Sequence, residues 1–232
     1  MIDQKRLIAR GESYGLDLAP IAKKLDIYAD FLVEYNQKVN LTAITDPEGI
    51  ENKHFIDSLL LAALPEVQGR LVDVGTGAGF PGVVAKLYKP ELELTLMEPT
   101  GKRIDFLKYL CEKLEIKAEF AKERAEEAAR KKWREQFDVA TARGVAALPV
   151  LSEYCLPLVK VGGVFIAMKS DDTAELAAST GAFAKLGGEL LRREEKNLPD
   201  GAQRSLILIK KISQTSTVYP RNGGKIAKAP LK

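Results

Sequence analysis

Histidine is nearly absent from this 232-residue chain, which contains a single one, His54. One imidazole excludes most zinc centres, and it excludes a Ser-His-Asp or Cys-His catalytic unit unless His54 itself serves. Cysteine is almost as scarce. Cys111 and Cys155 are too few for a disulfide framework or a metal cluster, and both fall in helical patterns as reduced core residues. No apolar run approaches the ~20 residues that span a bilayer, and the opening Met1-Ile2-Asp3-Gln4-Lys5-Arg6 has no secretory apolar region. The expectation is a cytoplasmic protein with no membrane segment and no metal, whose chemistry needs little general acid–base help.

Acidic residues are missing from one stretch. Residues 210–232 hold Lys210, Lys211, Arg221, Lys225, Lys228 and Lys232 and no carboxylate, so the formal charge of +3 hides a mildly acidic body with a basic tail. Such a tail either reaches a polyanion or is a solvated end. For the rest, 46% hydrophobic and 29% charged residues describe an ordinary globular chain.

Residues 1–65 read as a helical N-terminal extension. Ile21, Leu25, Tyr28, Leu32, Tyr35 and Val39 share one helical face. Asp46-Pro47 signals a helix start, and that helix stops near Pro65. From 70 onward, strand candidates 70–74, 92–97, 117–120, 137–141, 163–169, 189–195 and 205–211 alternate with helix candidates 81–89, 101–114, 122–134, 146–160 and 172–186. This alternation predicts a mostly parallel α/β sheet covered on both faces, the Rossmann-like layout of class I methyltransferases. Only the turn 197–201 separates the last two strands, so they should pair antiparallel at the sheet edge. The expected units are the extension 1–65, a cofactor-binding domain 66–212 and the basic tail 213–232.

The run from Leu71 to Gly82 reads as a buried strand that breaks into glycines and restarts as a helix. Bare backbone there lets a nucleotide-like cofactor approach closely. Asp73, two residues before Gly75, would repel a pyrophosphate but suits a cofactor with a cationic end, such as S-adenosylmethionine. Gly77-x-Gly79-x-x-Gly82 fits a dinucleotide pattern nominally, yet Asp73 speaks against an NAD(P)-linked oxidoreductase. Intact Asp73, Gly75, Gly77 and Glu98 speak against a non-catalytic RNA-binding module. Glu98 closes the second strand 23 residues after Gly75, where a carboxylate can accept from both ribose hydroxyls.

Other residues carry weaker signals. Arg124-Ala125-Glu126 either reads an adenine edge or belongs to an exposed helix face. Lys102 and Arg103 oppose a helix dipole, as RNA contacts or as a solvated pair. Arg143 and Lys169 end the fourth and fifth strands, and two cations in one crevice suggest a phosphate-bearing substrate. His54 is a packing residue, a shaper of the pocket or a catalyst.

Asn40-Leu41-Thr42, His54-Phe55-Ile56-Asp57-Ser58, the Asp73-to-Gly82 loop, Gly101-Lys102-Arg103 and Ala142-Arg143 together resemble the ribosomal RNA small-subunit methyltransferase G family (RsmG/GidB) from about Leu25 to Lys211. The tail from Tyr219-Pro220-Arg221 to Pro230-Leu231 resembles the end of some members. The resemblance implies S-adenosylmethionine-dependent methylation of N7 of one guanosine in 16S ribosomal RNA. The partner implied is that RNA or the small ribosomal subunit, met by a monomer. Gly75 and Phe80 would contact the cofactor, Glu98 its ribose, and Ala125 and Glu126 its adenine. Arg143 would reach the crevice between cofactor and substrate. Ala78, Phe80 and Glu98 stand where proline, leucine and aspartate also occur in the family. Asp73, Gly77 and Arg143 complete the expected cofactor set, and Arg143, Lys169 and His54 make up the catalytic one. The alternative is a methyltransferase acting on a small molecule or protein.

Overall fold

The computed structural model describes residues 1–170 and 173–232, of which Thr173 is placed only in its backbone. Seven strands form one sheet in the order β3-β2-β1-β4-β5-β7-β6. They are β1 (Arg70–Val74), β2 (Glu93–Met97), β3 (Glu119–Ala121), β4 (Phe137–Arg143), β5 (Val159–Lys169), β6 (Gly188–Asn197) and β7 (Gln203–Lys211). The first five run parallel, while β7 inserts antiparallel between β5 and β6. The expected edge hairpin is therefore present, with its second strand on the inside.

Period-two alternation assigns each strand residue to one of two cores. Leu71, Leu94, Leu96, Val139, Val164 and Ile166 face a cluster built with the N-terminal helices. Val72, Val74, Ala140, Phe165 and Ala167 face the opposite cluster. The first face is covered by α1 (Gln4–Ser13), α2 (Ala22–Asn36), a π-helix (Ile50–Ile56) that continues the short α3 (Pro47–Gly49), α4 (Asp57–Ala62), α5 (Gly82–Tyr88) and α6 (Gly101–Lys113). The second is covered by α7 (Ala125–Ala128), α8 (Leu148–Cys155), α9 (Thr173–Lys185) and the segment after β7. Burial on both faces explains the near-continuous apolar runs in β1, β5 and β7, while the edge strand β6 is mostly exposed and polar.

Two helices are shorter than the sequence predicts. The candidate 122–134 is helical only over α7, and 3₁₀-type turns follow, as in Lys131 N–H to the Ala128 carbonyl at 3.0 Å. Arg130 and Arg134, within that stretch, reach across to hold another part of the chain. The candidate 146–160 ends at Cys155, Pro157 sits in a 3₁₀ turn (Leu156–Leu158), and β5 begins at Val159. The expected start of α9 at residue 172 lies outside the described residues. The helix α1 and the π-helix are not foreseen.

The basic tail is not a solvated end. Arg134 donates to the Thr215 carbonyl at 2.5 Å and to the Tyr219 carbonyl at 2.9 Å, and Arg130 donates to the Pro220 carbonyl at 2.8 Å. Arg221 makes a forked pair with Glu153 of α8, closest at 2.7 Å, and Glu153 is fully buried. Beyond it, α10 (Gly223–Lys228) buries Ile226 completely. The apolar positions between the cations, which a charge count passes over, dock this segment on the second face.

Candidate functional site

The carboxyl ends of β1, β2, β4 and β5 open onto two adjoining cavities. The first holds about 320 Å³ and is lined by Gly75, Glu98, Arg103, Ala125, Glu126 and Tyr154 among others. The second holds about 360 Å³ and is lined chiefly by Lys53, His54, Asp57, Arg143, Lys169 and Arg204. Gly144, just after β4, borders both.

The glycine loop that floors the first cavity is tied down from three sides. Gly75 N–H donates to the Met97 carbonyl at 2.8 Å, and Gly77 N–H donates to Glu98 Oε2 at 3.3 Å. The Tyr28 hydroxyl of α2 donates to the Ala78 carbonyl at 2.5 Å. Gly75 has φ +66°, a left-handed conformation that side chains resist. A Cβ on it would also lie 2.7 Å from Val145 Cγ2. Glu98 is 2% exposed at the end of β2 and accepts from Thr100 N–H at 2.9 Å.

Asp73, expected from the sequence to meet the cationic end of a cofactor, does not line this cavity. It is fully buried behind the loop, where Oδ2 accepts from the Thr76 hydroxyl at 2.6 Å and from Gly82 N–H at 2.8 Å. Its Oδ1 is buried with no partner among the described residues. Burial, opposed by those two hydrogen bonds, pushes its carboxyl up to about 6. On this geometry Asp73 first of all shapes the loop.

Phe80 is likewise withdrawn from the cavity. It is 5% exposed and stacks against Tyr28 at 4.9 Å and against His54 at 4.3 Å between ring centroids. Its side chain joins α2, the loop and the π-helix. Arg143 and Lys169 line the second cavity and not the first, so Arg143 is not placed as a wall of the cofactor cleft. Glu98, Ala125, Glu126 and Gly75 do line the first. Gly77 supports it from the loop.

His54 is held neutral. Burial, reinforced by the Arg143 charge, lowers it to about 3. Nδ1 lies 3.4 Å from Arg143 Nη2, which can only donate, so Nδ1 accepts and Nε2 carries the proton. Nε2–H then donates to the Thr42 hydroxyl oxygen at 3.0 Å, which also accepts from Ile44 N–H. Asn36 at the end of α2 fixes that loop through the Leu41 and Thr42 amides. The Asn40-Leu41-Thr42 segment thus sets the tautomer of the imidazole, which is spent on orienting Arg143.

The second cavity has a hub that sequence reasoning missed. Asp57, 1% exposed, accepts from Arg143 Nη1 at 2.7 Å through Oδ2 and from Arg204 Nε at 3.1 Å through Oδ1. Arg143 Nη1 also donates to the Lys53 carbonyl at 2.8 Å. Lys169 Nζ lies 2.7 Å from Glu175 Oε2 and donates to the Ala146 carbonyl at 3.1 Å. The π-helix presents Lys53 and His54 to this cavity, and π-helical turns recur at functional sites. Asp57 belongs to the His54-Phe55-Ile56-Asp57-Ser58 motif, where nothing local assigns it a role. Arg204 opens β7 with no local signal at all.

Among the described residues, no group of three or more His, Cys, Asp or Glu could hold a metal ion, and no helix is long and apolar enough to cross a membrane.

A family model described as rRNA small subunit methyltransferase G matches residues 21–207. Ribosomal RNA small subunit methyltransferase G of Acetivibrio thermocellus is 46% identical over 98% of this chain and 96% of its own length. The protein of the same name from Desulfitobacterium hafniense is 48% identical over 90% of this chain and 89% of its own. Among solved structures, an S-adenosylmethionine-dependent O-methyltransferase from Thermotoga maritima superposes with a TM-score of 0.52 at 15% identity, covering 80% of this chain and 72% of that one. At that identity the likeness is one of fold.

Proposed function

The chain belongs to the rRNA small subunit methyltransferase G family, and from that premise we propose that it transfers a methyl group from S-adenosylmethionine to N7 of a guanosine in 16S ribosomal RNA. The observation that carries the reading is the pair of cavities meeting at Gly144, one floored by the glycine loop and Glu98, the other lined by four cations.

The residues of the first cavity fit that cofactor. Glu98 offers a carboxylate at the strand end where ribose hydroxyls would lie. Ala125 and Glu126 would flank the adenine, and the backbone of Gly75 and Gly77 would underlie the methionine portion. Asp73, with an unpartnered oxygen behind the loop, adds negative potential beneath a cationic group. When bound, the cofactor supplies a methyl group on a positively charged sulfur.

The second cavity would receive the nucleotide. Guanine N7 presents an in-plane lone pair and no proton, so its alkylation needs no general base. A neutral His54 with both nitrogens engaged suits such a reaction. Catalysis then rests on positioning the base in line with the methyl group and on excluding water. The target guanine must be unstacked to reach a cavity of this kind. Arg143 would hold the shape of the crevice and Lys169 would draw the backbone in. The same reading puts the protein in the cytoplasm as a monomer that meets the RNA or the small subunit.

The test is incubation of the purified protein with methyl-labelled cofactor and small-subunit RNA, followed by nuclease digestion and mass spectrometry. Label in 7-methylguanosine at one position is expected. Label at another atom, or transfer only to protein or small molecules, would overturn the assignment.

A further inference from the structure

The second cavity divides its cations into two kinds. Arg143 has both terminal nitrogens committed, Nη1 to the Lys53 carbonyl and to Asp57, Nη2 to His54. Arg204 differs: Nε goes to Asp57 and Nη1 to the Gln203 carbonyl at 2.8 Å, leaving Nη2 outside these bonds. Lys53 is 45% exposed in its side chain and lies 3.4 Å from Asp200, a loose pair. Lys169 spends two of its three N–H groups on Ala146 and Glu175.

We propose that this cavity is a phosphodiester-binding subsite in which Arg204, Lys53 and Lys169 grip one RNA phosphate, while Asp57 and Arg143 build the seat. The inference rests on the RNA reading above and refines it by moving the grip from Arg143 to Arg204. Charge supports it. Among the described residues, four cations (Lys53, Arg143, Lys169, Arg204) face three carboxylates (Asp57, Asp200, Glu175), an excess of one positive charge. A phosphodiester carries one negative charge. Asp57 does not repel it, because both of its oxygens are covered by guanidinium donors. The shared carboxylate also fixes the plane of the Arg204 fork, so less side-chain freedom is lost when a phosphate oxygen arrives. Three donors from β7, β5 and the π-helix converge on one space, so the subsite exists only in the folded chain.

The experiment measures RNA affinity against salt, the KM for RNA and the cofactor affinity of the full chain and of R204A, R204K, K53A and R143A. For R204A and K53A the salt slope should shrink by about 0.7 per lost single-strand phosphate contact. The KM for RNA should rise about tenfold with cofactor affinity unchanged, an amount expected when a charge-assisted hydrogen bond is lost. R204K keeps the charge without the fork, and its KM should lie between those of the parent and R204A. R143A should instead lower the melting temperature and kcat. Inorganic phosphate should compete with RNA in the parent and less in R204A.

Wild-type KM and salt slope in both R204K and K53A would overturn the subsite, and since neither removes Asp57's last partner, misfolding would not mask that result. Phosphate competition lost in R204A while RNA parameters stay unchanged would make it a free-anion site, which also overturns it. If the parent chain fails to methylate RNA, the broader function fails instead, and the two results are distinct.

Discussion

His54 lies flat on Phe80, with ring centroids 4.3 Å apart and planes 12° from parallel. The imidazole is thereby buried against an apolar face while Arg143 approaches its edge at 3.4 Å. Both neighbours oppose a second proton, and the folded value falls to about 3.

With one histidine in the chain, the imidazole can be followed alone by NMR. Its ring signals should stay constant from pH 8 to pH 5. A midpoint near 6.5 would mean that the ring is solvated and that the stacking is wrong. The sign for stability follows. The unfolded chain takes up the proton near 6.5 and the folded chain does not, so His54 destabilises the fold as pH falls through 6.5 toward 3. The effect is on the order of a few kcal/mol.

Asp73 pulls the other way. Its folded value is raised to about 6, so the native state binds the proton more tightly than the unfolded chain. Its contribution is therefore more favourable in acid and declines as pH rises from about 4 to about 6. Asp73→Asn removes that dependence. Parent stability relative to the variant should fall by about 3 kcal/mol between pH 4 and pH 7 in paired urea titrations. A constant difference would place the carboxylate in water.

Gly75→Ala should cost about 1 kcal/mol for its left-handed backbone plus the contact with Val145. Cofactor affinity measured by calorimetry should drop with it. Adding Val145→Ala should restore the part due to contact and leave the backbone part. Full additivity of the two changes would show that the side chains do not meet.

Arg221→Ala leaves Glu153 charged and fully buried without its guanidinium. Breaking such a pair costs about 3–5 kcal/mol, and melting should show it at low and high salt alike. Removing residues 213–232 should act in the same direction. A truncated chain that melts like the parent, with only its RNA salt dependence reduced, would return the segment to the role of a mobile RNA arm.

The strands, the glycine loop and the acid at the end of β2 were readable because each is specified by neighbours in sequence. Leu71 and Val72 are buried on opposite faces, and glycines mark the turn wherever it occurs. The pairing of Asp57 with Arg204 was not readable, since 147 residues separate them and nothing local to either points to the other. The same holds for the tail. Its cations suggested solvent or RNA, while Ile226 and the carbonyls held by Arg130 and Arg134 decided its place through distant contacts. Asp73 shows a third kind of miss. Its presence was legible and its direction was not, because a residue before a turn can point into the cleft or beneath it.

Gly144 adopts φ +67°, and among the described residues beyond its chain neighbours nothing lies within 4 Å of where a Cβ would sit. A residue in this conformation with open space around it stands as a post between two chambers, so any coupling between their occupants would be mutual. Whatever the donor's arrival does to the fit of the acceptor, the acceptor's arrival does equally to the fit of the donor.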